Sequence, residues 1–165
     1  MAAESFQIHP MRDGPLIATA VHNGHDLRVY DLHSYNHLRA GPDGPPADPG
    51  TNPEVNVGTG SLDRERWGAV VDRFIHEMAT FDFLGRALDV RENVKFKCRQ
   101  LAKWTHENFP GIGCVLAVEF KKFFMNEWTG ELFSEMFKAI TGSLQTSIPG
   151  VLTAAHTVVG KPEHR

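Results

Sequence analysis

The run Cys114–Phe120, CVLAVEF, is the feature that most constrains the fold of this 165-residue chain. It is apolar at nearly every position instead of alternating, which predicts a central strand covered on both faces. Glu119 lies inside this run, and a buried carboxylate without a partner is strongly destabilising. It therefore requires a cation, a donor or a metal nearby, unless it lies at an exposed strand end. Lys121 and Lys122 are available as simple ion-pair partners.

Two other strand-like runs also end in ionisable residues. Residues 15–22, PLIATAVH, end in His22, and residues 27–33, LRVYDLH, end in His33 with Asp31 two positions earlier. Only four residues separate the two runs, and their composition is that of a hairpin turn. A parallel pair would need a connection of about a dozen residues or more. The two runs are therefore predicted to be antiparallel neighbours.

Helical patterns alternate with these strands. A helix is predicted from an N-cap at Ser61 through Met78, since apolar residues recur there at helical spacing. Further helices are predicted over residues 98–108 and 132–140, and short strands over residues 55–57 and 88–90. The interleaving predicts an α/β fold, a mixed sheet flanked by helices, in one domain spanning residues 1–165.

Two kinds of segment are predicted to lie outside the packed core. Residues 1–14 and 161–165 are expected to be flexible, as chain ends usually are. Residues 40–60 form a long polar loop that holds five prolines and five glycines. Residues 40–54 are expected to be mobile and solvent-facing, because few apolar side chains could anchor them. The short strand over residues 55–57 would end this loop.

Charge and composition argue against some classes of binding partner. The net charge is -3 at pH 7 with neutral histidines, which argues against a nucleic-acid partner. No apolar run has the length of a membrane span, and the first residues lack the pattern of a signal peptide. Cys98 and Cys114 are too few for a disulfide framework and are expected to be small core residues. The expected location is the cytoplasm, without a membrane partner.

The three ionisable strand ends suggest one site. Ligands of open α/β sheets bind outside the carboxyl ends of the strands, so His22, His33 and Glu119 are predicted to converge. Two imidazoles and a carboxylate suit zinc-dependent hydrolysis. The alternative is that each is an ordinary solvated or hydrogen-bonded side chain. In His22-x-x-His25, likewise, His25 is either a second zinc ligand or a turn residue.

Three other histidines are given no role in this site. His37 lies in a polar stretch and is expected to be solvated. His76 and His106 lie on predicted helices and are expected on their exposed faces.

Several segments together resemble the N-formylglutamate amidohydrolase family. They are AVHNGHDLR, DLHSYNH, NPEVNVGTGSLDRERW, LDVRENVKF and GCVLAVEFKKFFMNEWTGE, within residues 15–140. DLHS and EFKKFFMNEWTG are the most specific parts. The family is similar to zinc carboxypeptidases and aspartoacylase-type deacylases. The resemblance therefore implies a zinc-peptidase-like (phosphorylase/hydrolase-like) fold, here in a truncated form.

The resemblance also implies roles for individual residues. His22 and His33 would be zinc ligands and Glu119 the general base. Arg91 would clamp a substrate carboxylate, since arginine can bind one through two parallel hydrogen bonds. The equally weighted alternative for Arg91 is a surface salt bridge with Asp89 or Glu92.

The chain departs from the family pattern in two places. Relatives have a long segment between the first histidine motif and DLHS, which supplies an acidic metal ligand. Here the two motifs almost touch, and His25 and Asp26 are the local candidates for the third zinc ligand. In addition, Lys97-Cys98-Arg99 stands where small glycines are expected before a helix.

Two functions are consistent with these features. The first is a zinc-dependent amidohydrolase that acts on a small-molecule N-acyl amino acid. With N-formylglutamate as substrate, the products would be formate and the free amino acid. The second is a catalytically degenerate family member that acts as a weak metal-binding or interaction module, which the missing segment favours.

Overall fold

The computed structural model describes residues 18–22 and 27–159, with side chains from residue 27 to residue 158. The elements in chain order are β1 (Ala18–His22), β2 (Leu27–Tyr35), β3 (Val55–Gly58), α1 (Arg64–Thr80), β4 (Val90–Glu92), α2 (Gln100–Asn108), β5 (Gly113–Lys121) and α3 (Ser134–Val159). The termini expected to be flexible, residues 1–14 and 161–165, lie outside the described residues.

One mixed sheet organises the molecule, with strand order β1-β2-β5-β3-β4. β1 and β2 are antiparallel, as the four-residue connection predicts. β2 and β5 are parallel, β5 and β3 are antiparallel, and β3 and β4 are parallel. The predicted mixed sheet flanked by helices is thus confirmed, whereas a relationship to zinc peptidases stays a prediction.

The larger core lies between one face of this sheet and the helices α1 and α3. Even-numbered residues of β2 and β5 point into it, for example Leu32 and Val118. Trp67 and Phe74 of α1 are almost completely buried in it. β5 is buried along eight of its nine residues, so it is the central strand that its apolar sequence predicts.

The opposite face of the sheet is covered less completely. A small cluster of Leu27, Val29, Ala102, Val115 and Ala117 joins α2 to the first halves of β2 and β5. Beyond this cluster the odd-numbered residues of the two strands are polar, and the segment 93–99 lies across them. The candidate site is on this face.

Two of the differences between predicted and observed helix boundaries have a clear physical reason. Asp63, not Ser61, is the N-cap of α1, because its carboxylate accepts hydrogen bonds from the backbone N–H groups of Glu65 and Arg66. α3 does not end at Ile140 but continues to Val159, with Pro149 inside it. Gly142, Pro149 and Gly150 disfavour a helix locally. Burial of Val151 and Ala155 in the larger core stabilises it instead.

Residues 36–54 lack regular structure but are attached to the sheet. Asp48 closes a turn with Gly50 and Thr51, and Asn52 and Pro53 are buried. The predicted mobility of residues 40–54 remains a prediction. Within the described part of the chain, no helix is long and apolar enough to cross a membrane.

Candidate functional site

Four polar side chains occupy one row across the sheet. His33 of β2 is the register partner of Glu119 of β5, Glu119 is the partner of Asn56 of β3, and Asn56 is the partner of Arg91 of β4. Neighbouring strands lie about 4.8 Å apart, and register partners project from the same face. The sheet therefore brings three of the residues singled out in the sequence, His33, Glu119 and Arg91, onto one row.

Glu119 is fully buried, and its charge is balanced from outside the sheet. The Arg99 Nε–H donates a short hydrogen bond to Glu119 Oε1. Glu119 Oε2 has no hydrogen-bond partner among the described residues, although it is buried. The carboxylate therefore has one oxygen held by a cation and one buried oxygen with unused capacity to accept a hydrogen bond. Hydrogen bonding to Glu119 also raises the pKa of Arg99 above its usual value.

Asp31 lies beside His33 on the same strand. They are two residues apart on β2 and project from the same face, and Asp31 Oδ1 lies 2.8 Å from His33 Nε2. An ionised carboxylate only accepts hydrogen bonds, so this contact favours the neutral tautomer with its proton on Nε2 and a lone pair on Nδ1. Asp31 is buried, whereas the His33 side chain is 28% exposed. A buried carboxylate therefore orients the His33 ring, and part of this ring is exposed to solvent.

The segment 95–99 is fixed against the sheet by β3. The Asn56 Nδ2–H donates to the Phe96 carbonyl, and Asn56 Oδ1 accepts from the Lys95 N–H, both at 2.8 Å. At Gly58 a Cβ atom would lie only 3.0 Å from the Lys97 carbonyl oxygen. The close approach that glycine permits brings Arg99, at the end of this segment, onto Glu119.

Cations surround this part of the face. Lys95 bonds to Asn52 and lies over the rings of Tyr35 and Phe96, and Lys97 is exposed. Lys121 donates to the Asn52 carbonyl from the end of β5. In a chain whose net charge is negative, this basic rim (Lys95, Lys97, Arg99 and Lys121) makes the local field favourable for an anionic ligand.

Arg91, the candidate clamp, is engaged elsewhere. Its guanidinium donates to the carbonyls of Pro49 and Gly50 and pairs with Asp89. The predicted surface salt bridge with Asp89 is therefore present, and Arg91 ties the segment 36–54 to β4. A role in substrate binding stays a prediction for Arg91.

The structure does not bring His22 to the row. The backbone of His22 pairs with Leu27, at the first residue of β2, while His33 lies six residues further along that strand. At about 3.3 Å per residue this separation is ~20 Å along the strand. In this register the backbones of His22 and His33 lie far apart, because the four-residue connection sets His22 opposite the first residue of β2. His25 and Asp26 lie outside the described residues.

Two histidines expected to be solvated are partly buried instead. His106 Nδ1 lies 2.9 Å from Ser61 Oγ, and its Nε2 accepts a hydrogen bond from the Val115 N–H. His37 packs beside Glu127, which accepts the His37 backbone N–H at 2.6 Å. Burial lowers the pKa of both imidazoles. The expected exposure is therefore wrong for His37 and His106, whereas His76 is exposed as expected.

The donor chemistry at His33 fits a zinc ion in part. Metal-ligating histidines usually donate their other ring N–H to a carboxylate, which is the arrangement of His33 and Asp31. A catalytic zinc usually takes three protein ligands. Among residues 27–158, however, no group of three His, Cys, Asp or Glu side chains is placed to hold an ion. His33 is suited to bind zinc, but the described residues do not complete the set.

Arg99 is the site residue that sequence reasoning missed. It stands in the triplet Lys97-Cys98-Arg99, which appears in the sequence only as a departure from a family pattern. The usable signal was the glutamate in CVLAVEF, whose burial requires a cation. Lys121, the neighbour in sequence, bonds to Asn52 instead.

Comparison with known proteins adds no relative to this picture. No protein-family model, curated protein or solved structure matches the chain.

Proposed function

We propose that this protein hydrolyses the amide bond of a small N-acyl amino acid, with N-formylglutamate as the model substrate and zinc as the cofactor. The observation that carries the proposal is the register pairing of His33 with the buried Glu119. It places a carboxylate-oriented imidazole beside a carboxylate that has one free oxygen. The sequence resemblance to N-formylglutamate amidohydrolases provides the substrate class.

Glu119 would act as the general base in this reaction. Its Oε2 is the oxygen that Arg99 leaves free, and it can accept a proton from the attacking water and deliver it to the leaving nitrogen. A base buried beside a cation is shielded from competing solvent. Arg99 holds the carboxylate in position.

His33 would hold the metal through Nδ1, while Asp31 fixes the ring through Nε2. Zinc would supply Lewis-acid polarisation of the acyl carbonyl. Further ligands would have to come from residues whose side chains the structure does not describe. The sequence candidates His22, His25 and Asp26 would serve only in a register other than the one in which His22 pairs with Leu27.

A second function is favoured by one specific observation. The β1–β2 register holds the backbone of His22 at the far end of β2 from His33. A chain that keeps this register has one of the two proposed histidine ligands at the site. Such a protein would be a catalytically degenerate relative that binds metal weakly or acts as an interaction module.

Metal content and turnover together test the proposal. Zinc at one equivalent per chain, with formate release from N-formylglutamate that a chelator abolishes, is the expected result. Glu119→Gln should retain the metal and lose formate release. Absence of both metal and hydrolysis would instead support the degenerate relative, and near-normal turnover in Glu119→Gln would exclude Glu119 as the base.

A further inference from the structure

We propose that Arg99 is an anion-binding residue that is held on Glu119 in the free protein, and that the carboxylate of the ligand competes with Glu119 for it. Binding of an acidic substrate would thereby separate Arg99 from Glu119. The inference rests on the proposed function for the identity of the substrate. Its test measures binding and does not depend on turnover.

Arg99 contacts Glu119 through one of its three side-chain nitrogen atoms. Its contact with Glu119 uses Nε alone, and its Nη atoms form no hydrogen bond to a described residue. The Arg99 side chain is 39% exposed, whereas Glu119 is completely buried. The outer edge of the guanidinium, the part that forks a carboxylate best, therefore faces solvent.

The Arg99 guanidinium also lies against an aromatic ring. The Arg99 guanidinium carbon lies 5.0 Å from the centroid of the Phe96 ring. Asn56 in turn fixes the backbone of Phe96. The contact with the ring does not depend on the hydrogen bond to Glu119. Arg99 therefore keeps one supporting contact when an incoming anion replaces Glu119 as its partner.

The site also contains two carboxylate oxygens that could accept a hydrogen bond from a ligand. Glu119 Oε2 and Asp31 Oδ2 are buried acceptors without a partner among the described side chains. A ligand with a carboxylate and a nearby N–H matches both features, since the carboxylate takes Arg99 and the N–H takes a free acceptor oxygen. N-acyl amino acids carry this pair of groups. The basic rim would attract them.

The expected selectivity follows from charge. A carboxylate-bearing ligand can compete with Glu119 for Arg99, whereas a neutral amide would leave the ion pair intact.

Glutarate is a suitable probe, because it carries two carboxylates and no amide bond. Its affinity is measured calorimetrically for the wild-type protein and for Glu119→Gln, with uncharged glutaramide as the matched ligand. Loss of the competing carboxylate should make glutarate bind ~5-fold more tightly or better, since a charge-assisted hydrogen bond no longer holds Arg99. Glutaramide affinity should not change. Unchanged or weaker glutarate binding in Glu119→Gln would overturn the inference.

Two variants assign the gain to Arg99. Glu119→Gln combined with Arg99→Gln should lose the tighter glutarate binding, and it leaves no unpaired buried charge that could unfold the chain. Lys103→Gln in the Glu119→Gln background is the control. Lys103 is one turn further along α2, is exposed and pairs only with Glu107. Retention of tight binding after Arg99→Gln would contradict the assignment.

The two proposals fail separately. Tighter glutarate binding in Glu119→Gln together with no hydrolysis by the wild-type protein would reject the amidohydrolase function and keep the role of Arg99. Hydrolysis with unchanged glutarate affinity would do the opposite.

Discussion

Arg99 and Glu119 form an ion pair in which the carboxylate is fully buried and the guanidinium is 39% exposed. The two residues are twenty positions apart in sequence and belong to the segment before α2 and to the central strand β5. The asymmetry of burial means that the two partners are not equivalent. Loss of the cation leaves a charge inside the sheet, whereas loss of the carboxylate leaves an arginine that water can solvate.

Stability should therefore respond unequally to the two substitutions. We expect Arg99→Gln to lower the free energy of unfolding by about 2 kcal/mol, because the buried Glu119 loses its partner. Glu119→Gln should cost less than ~1 kcal/mol, since it removes the buried charge itself. Urea unfolding of both variants and of Lys103→Gln measures this. Equal costs for the two variants would show that burial of Glu119 is not what makes Arg99 necessary.

Asp31→Asn should change His33 without unfolding the protein. The asparagine keeps the shape of Asp31 but removes the charge that favours a proton on Nε2 of His33. If the protein is a hydrolase, we expect formate release or zinc affinity to fall ~10-fold to 100-fold, as for other partners of metal-ligating histidines. The ¹⁵N shifts of the His33 ring report the tautomer directly. A ring that keeps its proton on Nε2 in the variant would show that Asp31 does not set the tautomer.

Stability should fall on the acid side of neutrality, and His106 should contribute. Burial lowers the pKa of the folded His106 below the value of 6.5 for a free histidine. As the pH falls through 6.5, the unfolded chain takes up a proton that the folded chain does not. The contribution of neutral His106 is thus complete above pH 6.5 and is lost as the pH falls to the lower folded pKa.

His106→Gln should flatten this pH dependence, measured as unfolding free energy between pH 7.5 and about pH 5. The residual slope has a source in His37, whose pKa is also lowered by burial. His76→Gln on the exposed side of α1 is the matched control substitution. A slope that is identical in His106→Gln and wild type would contradict the assignment.

Two glycine substitutions should change the free energy of unfolding in opposite directions. Gly58→Ala places a Cβ atom 3.0 Å from the Lys97 carbonyl oxygen, and the backbone there cannot retreat easily. We expect a loss of about 1–3 kcal/mol, typical of overpacking. Gly68→Ala, inside α1, meets only the flexible end of Arg64 and should stabilise by up to ~1 kcal/mol. Thermal unfolding distinguishes them, and equal shifts would show that the segment 95–99 tolerates displacement from β3.

Local sequence patterns predicted most of the strands, helix α1 and the first part of helix α3. CVLAVEF predicted the buried central strand, and the short spacing after His22 predicted an antiparallel pair. The second half of α3 was not predictable in this way. Its Pro149 and Gly150 are helix breakers in isolation. The helix continues because Gly150 fits closely against the side chains of Arg73 and Glu77 on α1.

The candidate site was predictable only where sequence neighbours create it. Asp31 and His33 lie two positions apart on one strand, so a strand prediction places them together. Arg99 could not be assigned, because its contact with Glu119 depends on how Asn56 and Gly58 fix the segment 95–99. Such long-range packing has no local signature.

The parallel pairing of β2 with β5 also determines when the site forms during folding. His33 and Glu119 are 86 positions apart, and β3, α1, β4 and α2 all lie between them in the chain. Closing so long a loop is entropically unfavourable until the intervening elements have ordered, and sheets of this kind fold slowly. We therefore expect the two side chains to become neighbours late in folding. Any signal that depends on their proximity will report completion of folding, well after the hairpin β1–β2 has formed.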